Sequence, residues 1–265
     1  MMQYHSSSIN YTDEGTGNIV VLLHGYLETH EIWGDFAKDL AQTFRVINID
    51  IPGHGKSGKL SDIHTVEILA EAIDYLLTTL GIEKSFIIGH SMGGYSALAY
   101  LEKFPLKVSG LCLFHSTPFA DTEEKKLNRS HDIELLLQGK KDVVFNNHVL
   151  KSFATDNLIH LADKVDLAKK IAFENNTDGI IALVEGMKIR PDRQTLLKKT
   201  LVPVMFILGK KDNYIPYEIM YAVAQRSPLG EVLLLENSGH MGFLEEPGIC
   251  LEALKSFIHQ YHFEI

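Results

Sequence analysis

A doubly wound, mostly parallel α/β sheet interrupted by a helical insertion is what this sequence predicts, on three observations. Short apolar, β-branched runs alternate with segments of helical periodicity over residues 18–114. The alternation lapses over 118–190, where the sequence is helix-forming throughout, and resumes from 202. Polar clusters of Gly, Ser, His and Asp stand directly after the apolar runs, where open parallel sheets bind ligands. The expected organisation is a discontinuous core, residues 1–117 and 191–265, carrying a helical cap or lid over 118–190.

The elements follow in order. NIVVLL (18–23) is a strand closed by His24-Gly25, and Trp33, Phe36, Ala37 and Leu40 then mark a helix. FRVINI (44–49) is the next strand, ended by Asp50 and the turn-rich IPGHGKSG. Apolar residues recur at helical spacing over 65–80 until Gly81 stops them. Residues 85–88 form a strand, 92–104 a helix and 108–114 a strand. Continuous apolar strands of this kind are buried on both faces by helices. After the insertion come a strand at 202–208, a helix near 219–225, a strand at 231–235 and a last helix over 247–262.

Composition narrows the setting. A net charge of −9 disfavours nucleic acid and anionic membrane as partners, since both reward a basic patch. No run approaches the roughly 18 apolar residues of a membrane span. The start, MMQYHSSSIN, lacks the basic and apolar regions of a signal peptide, so a cytoplasmic protein is expected. Cys112 and Cys250 lie far apart in apolar contexts and read as buried, reduced thiols. The expected partner is a small-molecule substrate.

The stretch FIIGHSMGGYSAL (86–98) sets Ser91 between glycines where a strand turns into a helix. This is G-x-S-x-G in the context the motif requires, with Gly89 and Gly93 relieving crowding around a strained turn. A serine hydroxyl is a poor nucleophile without a base. Of thirteen histidines, His240 in ENSGHMGFLEEP follows a strand and precedes the final helix. His5, His64, His131, His148, His160, His259 and His262 lie in the N-terminal segment or predicted helices and are expected at the surface. His54 and His90 flank glycine turns and His115 ends a strand, each either lining a pocket or satisfying a hydrogen bond.

A carboxylate must fix the tautomer of the histidine. Asp212 in FILGKKDNYIP follows a strand, whereas Asp50 sits in a turn that reads as structural. The chain order serine, aspartate, histidine selects Asp212. Two backbone N–H groups should receive the oxyanion: that of Met92, after the serine, and that of Tyr26 in HGYLE, with Leu27 as alternate. His24 is expected to brace that loop. Pocket walls are expected from Leu27, His90, Tyr95 and Met241, and from Phe145 and Phe153 in the cap.

With these residues placed, LLHGY, DIPGHGKS, GHSMGG, GKKDNYIP and SGHM together resemble the α/β-hydrolase fold family, in particular its cap-containing serine hydrolases. The resemblance implies an esterase-like enzyme with a Ser91–His240–Asp212 triad, cleaving a small, mainly apolar carboxylic ester or thioester through an acyl-enzyme. Serine at position 91 argues against the haloalkane dehalogenases and epoxide hydrolases of this fold, which use aspartate there. HGYLE replaces the HGGPG of proline iminopeptidases. The menaquinone-pathway lyase is similar in its HG and PGHG segments, but Tyr95 stands where that group carries arginine. That lyase chemistry, and a ligand-binding receptor on the same scaffold, are the competing expectations.

Three motifs mislead. GHGKS lacks the upstream glycine of a phosphate-binding loop, where Asp50 stands. His30-Glu31 lacks the second histidine of H-E-x-x-H, its place taken by Gly34, and GHSMGG is not a dinucleotide fingerprint. The expectation is therefore an enzyme with no metal and no cofactor.

Overall fold

The computed structural model describes residues 1–5 and 7–262. Ser6 and residues 263–265 of the expected core spans lie outside them. Strands are β1 (Met2–Tyr4), β2 (Ser7–Ile9), β3 (Tyr11–Glu14), β4 (Ile19–Leu23), β5 (Arg45–Ile49), β6 (Ser85–His90), β7 (Val108–Phe114), β8 (Val204–Gly209) and β9 (Gly230–Leu235). Seven of them form one sheet in the order β3-β5-β4-β6-β7-β8-β9. Only β3 runs antiparallel, pairing Tyr11 with Ile49 and Glu14 with Val46. β1 and β2 make a separate hairpin.

The central strands are buried on both faces, as the unbroken apolar runs require. Every residue of β6 and β8 is buried, and Val20 to Leu23 of β4 are fully so. Each such Val or Leu contributes about 1.5–3 kcal/mol relative to remaining exposed. Helices α1 (Gly34–Ala41), α2 (Val66–Thr79) and α3 (Met92–Lys103) link the early strands. Thr65 caps α2, its hydroxyl accepting from Ile68 N. Among the helices, α2 packs on α3.

Between β7 and β8 the chain holds α4 (Glu123–Leu137), α5 (Lys141–Ser152), α6 (Asn157–His160), α7 (Ala162–Glu174), α8 (Thr177–Ile189) and α9 (Gln194–Lys199). Thr122 starts α4 with a side-chain bond to Lys125 N, and two glutamates follow in the first turn, where the helix dipole favours them. These helices pack on one another, α4 against α5 and α8, and α5 against α7. They are fastened to loops at the carboxyl edge of the sheet. Gly55 N donates to Asn175 Oδ1, Asn175 Nδ2 donates to Leu27 O, His64 N to Ala182 O, and His240 N to Ser152 O.

The chain closes with α10 (Tyr217–Ala224), α11 (Gly242–Glu245) and α12 (Pro247–Gln260), α12 packing on α1. No helix among the described residues is long and apolar enough to cross a membrane. Four features depart from the sequence reading: the hairpin, β3, α9 and the one-turn α11. All are short, and β3 is a mainly polar edge strand with no buried residue, so it carries no apolar alternation to detect. Cys112 and Cys250 are buried and free.

Candidate active site

The turn after β6 creates the first feature. Ser91 takes φ 49° and ψ −114°, a conformation that costs a non-glycine residue on the order of 1–3 kcal/mol. Gly89 makes it possible, since a β-carbon there would lie 2.6 Å from Gly93 O and Gly94 Cα. The turn is held by Ser91 N donating to Phe114 O (2.9 Å) and by Ser116 Oγ donating to Ser91 O (2.7 Å). The result is a partly exposed hydroxyl beside the N-terminus of α3.

Three strand ends then converge. His240 Nε2 is 2.8 Å from Ser91 Oγ, and its Nδ1 is 2.8 Å from Asp212 Oδ2. The other carboxylate oxygen of Asp212 accepts from Tyr214 N and Ile215 N, which fixes its plane. Burial alone would push the Asp212 carboxyl up, but His240 and His115 beside it hold it well below the usual carboxylate range. An ionised Asp212 accepts from Nδ1–H and leaves the Nε2 lone pair on Ser91. Such an arrangement can take the serine proton.

The loop after β4 supplies the donors. Leu27 N gives its proton to His54 Nε2 (3.2 Å), so the alternate donor is occupied. Tyr26 N and Met92 N have no acceptor among the described residues, leaving both free for an anion. His24 braces this loop as expected, with Nδ1 on Gly25 O and Nε2 receiving Ile51 N. Asp50 is structural, its oxygens taken by His30, Asn10 Nδ2 and Lys56 N.

Of the expected pocket walls, Leu27, Phe153 and Met241 line a cavity of ≈ 10 Å³ together with Tyr26, His148 and Ala168. Room of that size holds about one water, and Ser91, Asp212 and His240 are not among the residues that line it. A larger hollow of ≈ 250 Å³ beside β3 and β5 shares no lining residue with it.

The other three expected walls are corrected. Phe145 is fully buried among the inserted helices, its ring against Phe173 and beneath Lys141, because its helical face turns to α7. Tyr95 is roofed by the Arg190 guanidinium, 4.0 Å above its ring, which is itself paired with Asp121. His90 lies beneath the site, bonded to Glu28 and to the His240 carbonyl.

Two histidines expected at the surface are not there. His64 is buried, its Nε2 accepting from Leu60 N. His148 lies at the cavity, edge-on to Tyr26 and bonded to Tyr214 OH. Helical periodicity alone placed it on a solvent face, whereas α5 turns that face to the site.

His115, expected either to line a pocket or to satisfy a hydrogen bond, does the second. At φ 47° it receives Gly242 N on Nε2, which leaves the proton on Nδ1, 3.4 Å from Asp212 Oδ2. Burial pushes it down to about 4, so it stays neutral beside Asp212, its Nδ1 near the carboxylate but without a hydrogen-bond partner. His115, Asp212 and His240 do bring ligand atoms within 4.8 Å of one another. Yet the bonds to Gly242 and Ser91 already occupy the imidazole lone pairs a cation would need. Glu245 completes the frame, accepting from Gly239 N, Met241 N and Ala154 N.

Comparison with known proteins accords with this architecture. A solved thermophilic esterase from Thermogutta terrifontis superposes with a TM-score of 0.93 at 26% identity, covering 97% of this chain and 95% of that one. The chain is 28% identical over 251 residues to a 2-hydroxy-6-oxononadienedioate/2-hydroxy-6-oxononatrienedioate hydrolase from Burkholderia vietnamiensis, covering 88% and 84% of the two. It is 23% identical over 263 residues to a pimeloyl-[acyl-carrier protein] methyl ester esterase from Aliivibrio fischeri, covering 97% and 99%. The model of the alpha/beta hydrolase fold family matches residues 18–247. The chain therefore belongs to the α/β-hydrolase family and is a hydrolase of that fold.

Proposed function

We propose that this hydrolase cleaves a small, mainly apolar carboxylic ester or thioester through an acyl-enzyme on Ser91. The observation that carries the reading is the continuous chain Ser91 Oγ–His240 Nε2 and Nδ1–Asp212 Oδ2, 2.8 Å at each step, next to two unengaged N–H groups. Ser91 Oγ attacks the carbonyl carbon while His240 takes its proton. The oxyanion is received by Tyr26 N and Met92 N. His240, now protonated and steadied by Asp212, gives its proton to the departing alcohol or thiol. A water then repeats the sequence on the acyl group and frees Ser91.

The substrate class rests on the walls. Leu27, Val149, Phe153, Ala168 and Met241 offer mainly apolar surface, which suits an alkyl or acyl group. Arg190, stacked on Tyr95 of the serine helix, and Arg129 are both paired with Asp121, which weighs against carboxylate capture of the lyase kind. The inserted helices are read as a cap over 118–190, which contributes His148, Val149, Ser152, Phe153 and Ala168 to this cavity. Purified Ser91→Ala tests the reading by hydrolysis of p-nitrophenyl acetate. Loss of about 10³-fold or more in kcat with an unchanged thermal midpoint is expected, and near wild-type turnover would remove Ser91 from the reaction.

A further inference from the structure

The pair formed by Glu28 and His90 takes no step in the proton path, yet it touches each part of it. His90 precedes Ser91 and is buried, and both ring nitrogens are engaged. Nδ1 lies 2.9 Å from Glu28 Oε2, and Nε2 lies 2.8 Å from the carbonyl oxygen of His240. A carbonyl only accepts, so Nε2 carries a proton. Glu28 Oε2 also accepts from Gly25 N at 2.6 Å. One further proton lies on the line between Oε2 and Nδ1, and with it all three contacts are hydrogen bonds. Burial opposes charge on both groups, but their mutual attraction prevails. It holds the Glu28 carboxyl below its ordinary value and lifts the His90 imidazole above its own.

The three attachment points are the informative part. Gly25 immediately precedes Tyr26, whose N–H is one of the free donors. His90 immediately precedes Ser91. His240 is the base, and the pair holds its backbone carbonyl while Asp212 holds its ring. We infer that Glu28 and His90 are positioning residues that hold the Tyr26 donor, Ser91 and His240 in mutual register. The inference rests on the reading of Ser91, His240 and Asp212 as the reacting set.

Only a carboxylic group serves all three partners. Glutamine has the same shape but offers one acceptor and one donor. With its oxygen toward Gly25 N and Nδ1–H, a neutral His90 turns its Nε2 lone pair onto the His240 carbonyl. With its amino group there, it opposes the Gly25 N–H. One buried bond is lost either way, at nearly constant volume. Misplacement of a catalytic group by a fraction of an ångström then lowers the rate of the chemical step while substrate binding stays.

The experiment compares the intact chain with Glu28→Gln, His90→Gln and the double variant. It measures kcat and KM for p-nitrophenyl acetate, the rate constant for fluorophosphonate labelling, and the thermal midpoint. Labelling of the wild type at Ser91 is established first, because its absence would overturn the underlying reading and this inference with it. Each single variant should lower kcat and the labelling rate together by about 10- to 100-fold, with KM within about twofold. The double variant should fall no further than the worse single one, as expected of residues acting as one unit. Folded variants with unchanged kcat, or effects that multiply in the double variant, would overturn it. Should a variant fail to fold, ¹⁵N-histidine spectra of the wild type decide. A slowly exchanging Nε2 proton on His90 supports the tie, and a bare Nε2 refutes it.

Discussion

Gly93 is where the serine turn and the loop after β4 come into backbone contact. A β-carbon at this position would lie 2.6 Å from His24 O and closer still to Leu23 O. The Leu23 carbonyl cannot rotate aside, because Leu23 belongs to the paired strand β4. Gly93→Ala must therefore part the turn from the loop by roughly 1 Å to restore an ordinary contact. Tyr26 lies two residues beyond His24 and moves with it, away from the anion it would receive. An error of about 1 Å in a reacting group costs about 10²-fold, and loss of one oxyanion donor about 10²–10³-fold. The overpacking itself should cost about 1–3 kcal/mol of stability. Steady-state hydrolysis of p-nitrophenyl acetate, with urea unfolding of the same preparation, checks both figures. A kcat drop near 10²-fold in a folded variant is expected. Turnover within twofold of wild type would refute the coupling of the serine turn to the Tyr26 loop.

Three further outcomes follow from the same geometry. Asp212→Asn should keep the Tyr214 and Ile215 bonds through its oxygen but present an N–H to His240 Nδ1, forcing the wrong tautomer. A kcat loss of about 10³–10⁴-fold with little change in thermal midpoint is expected, and an unchanged rate would assign the orienting role elsewhere. Phe145→Ala should cost about 3–5 kcal/mol and leave acyl-length preference alone, whereas Phe153→Ala, at the cavity, should extend the accepted acyl chain. A panel of p-nitrophenyl esters with urea midpoints separates the two, and a reversed pattern would contradict the cavity assignment. His115, pushed by burial to about 4 from an ordinary value near about 6.5, binds its proton more readily unfolded. Stability should thus fall as pH drops through that window, by about 3 kcal/mol in all, while the raised His90 works oppositely and is lost as pH rises through its own value. Urea unfolding at pH 7 and 4.5 should show a shallower dependence in His115→Gln, and identical slopes would contradict the assignment.

What the sequence disclosed, and what it withheld, divides along physical lines. Ser91, Asp212 and His240 were legible because each stands in the turn or loop after an apolar strand, and parallel strands deliver their carboxyl ends to one edge. Met92 and Tyr26 followed from the same rule, since the donors belong to turns that must sit beside the serine. His148 and Phe145 were misread for one shared reason. Periodicity identifies a helix and its apolar stripe, but the rotation of α5 over the sheet is set by tertiary packing against α4 and α7. Glu28 left no trace in the pattern, because its partner His90 is 62 residues away and nothing local marks the pair. His115 was within reach: it follows β7 at positive φ as Ser91 follows β6, a parallel that strand-end reasoning could have extended.

The claim on which the rest depends is a covalent acyl group on Ser91. Rapid acid quench of the enzyme during p-nitrophenyl acetate turnover, followed by peptide mass analysis across β6 and α3, measures it directly. An acetyl adduct on Ser91, formed in a burst equal to the enzyme concentration and absent in Ser91→Ala, is the predicted result. Sustained hydrolysis with no adduct at Ser91, or an adduct that persists in Ser91→Ala, would contradict it.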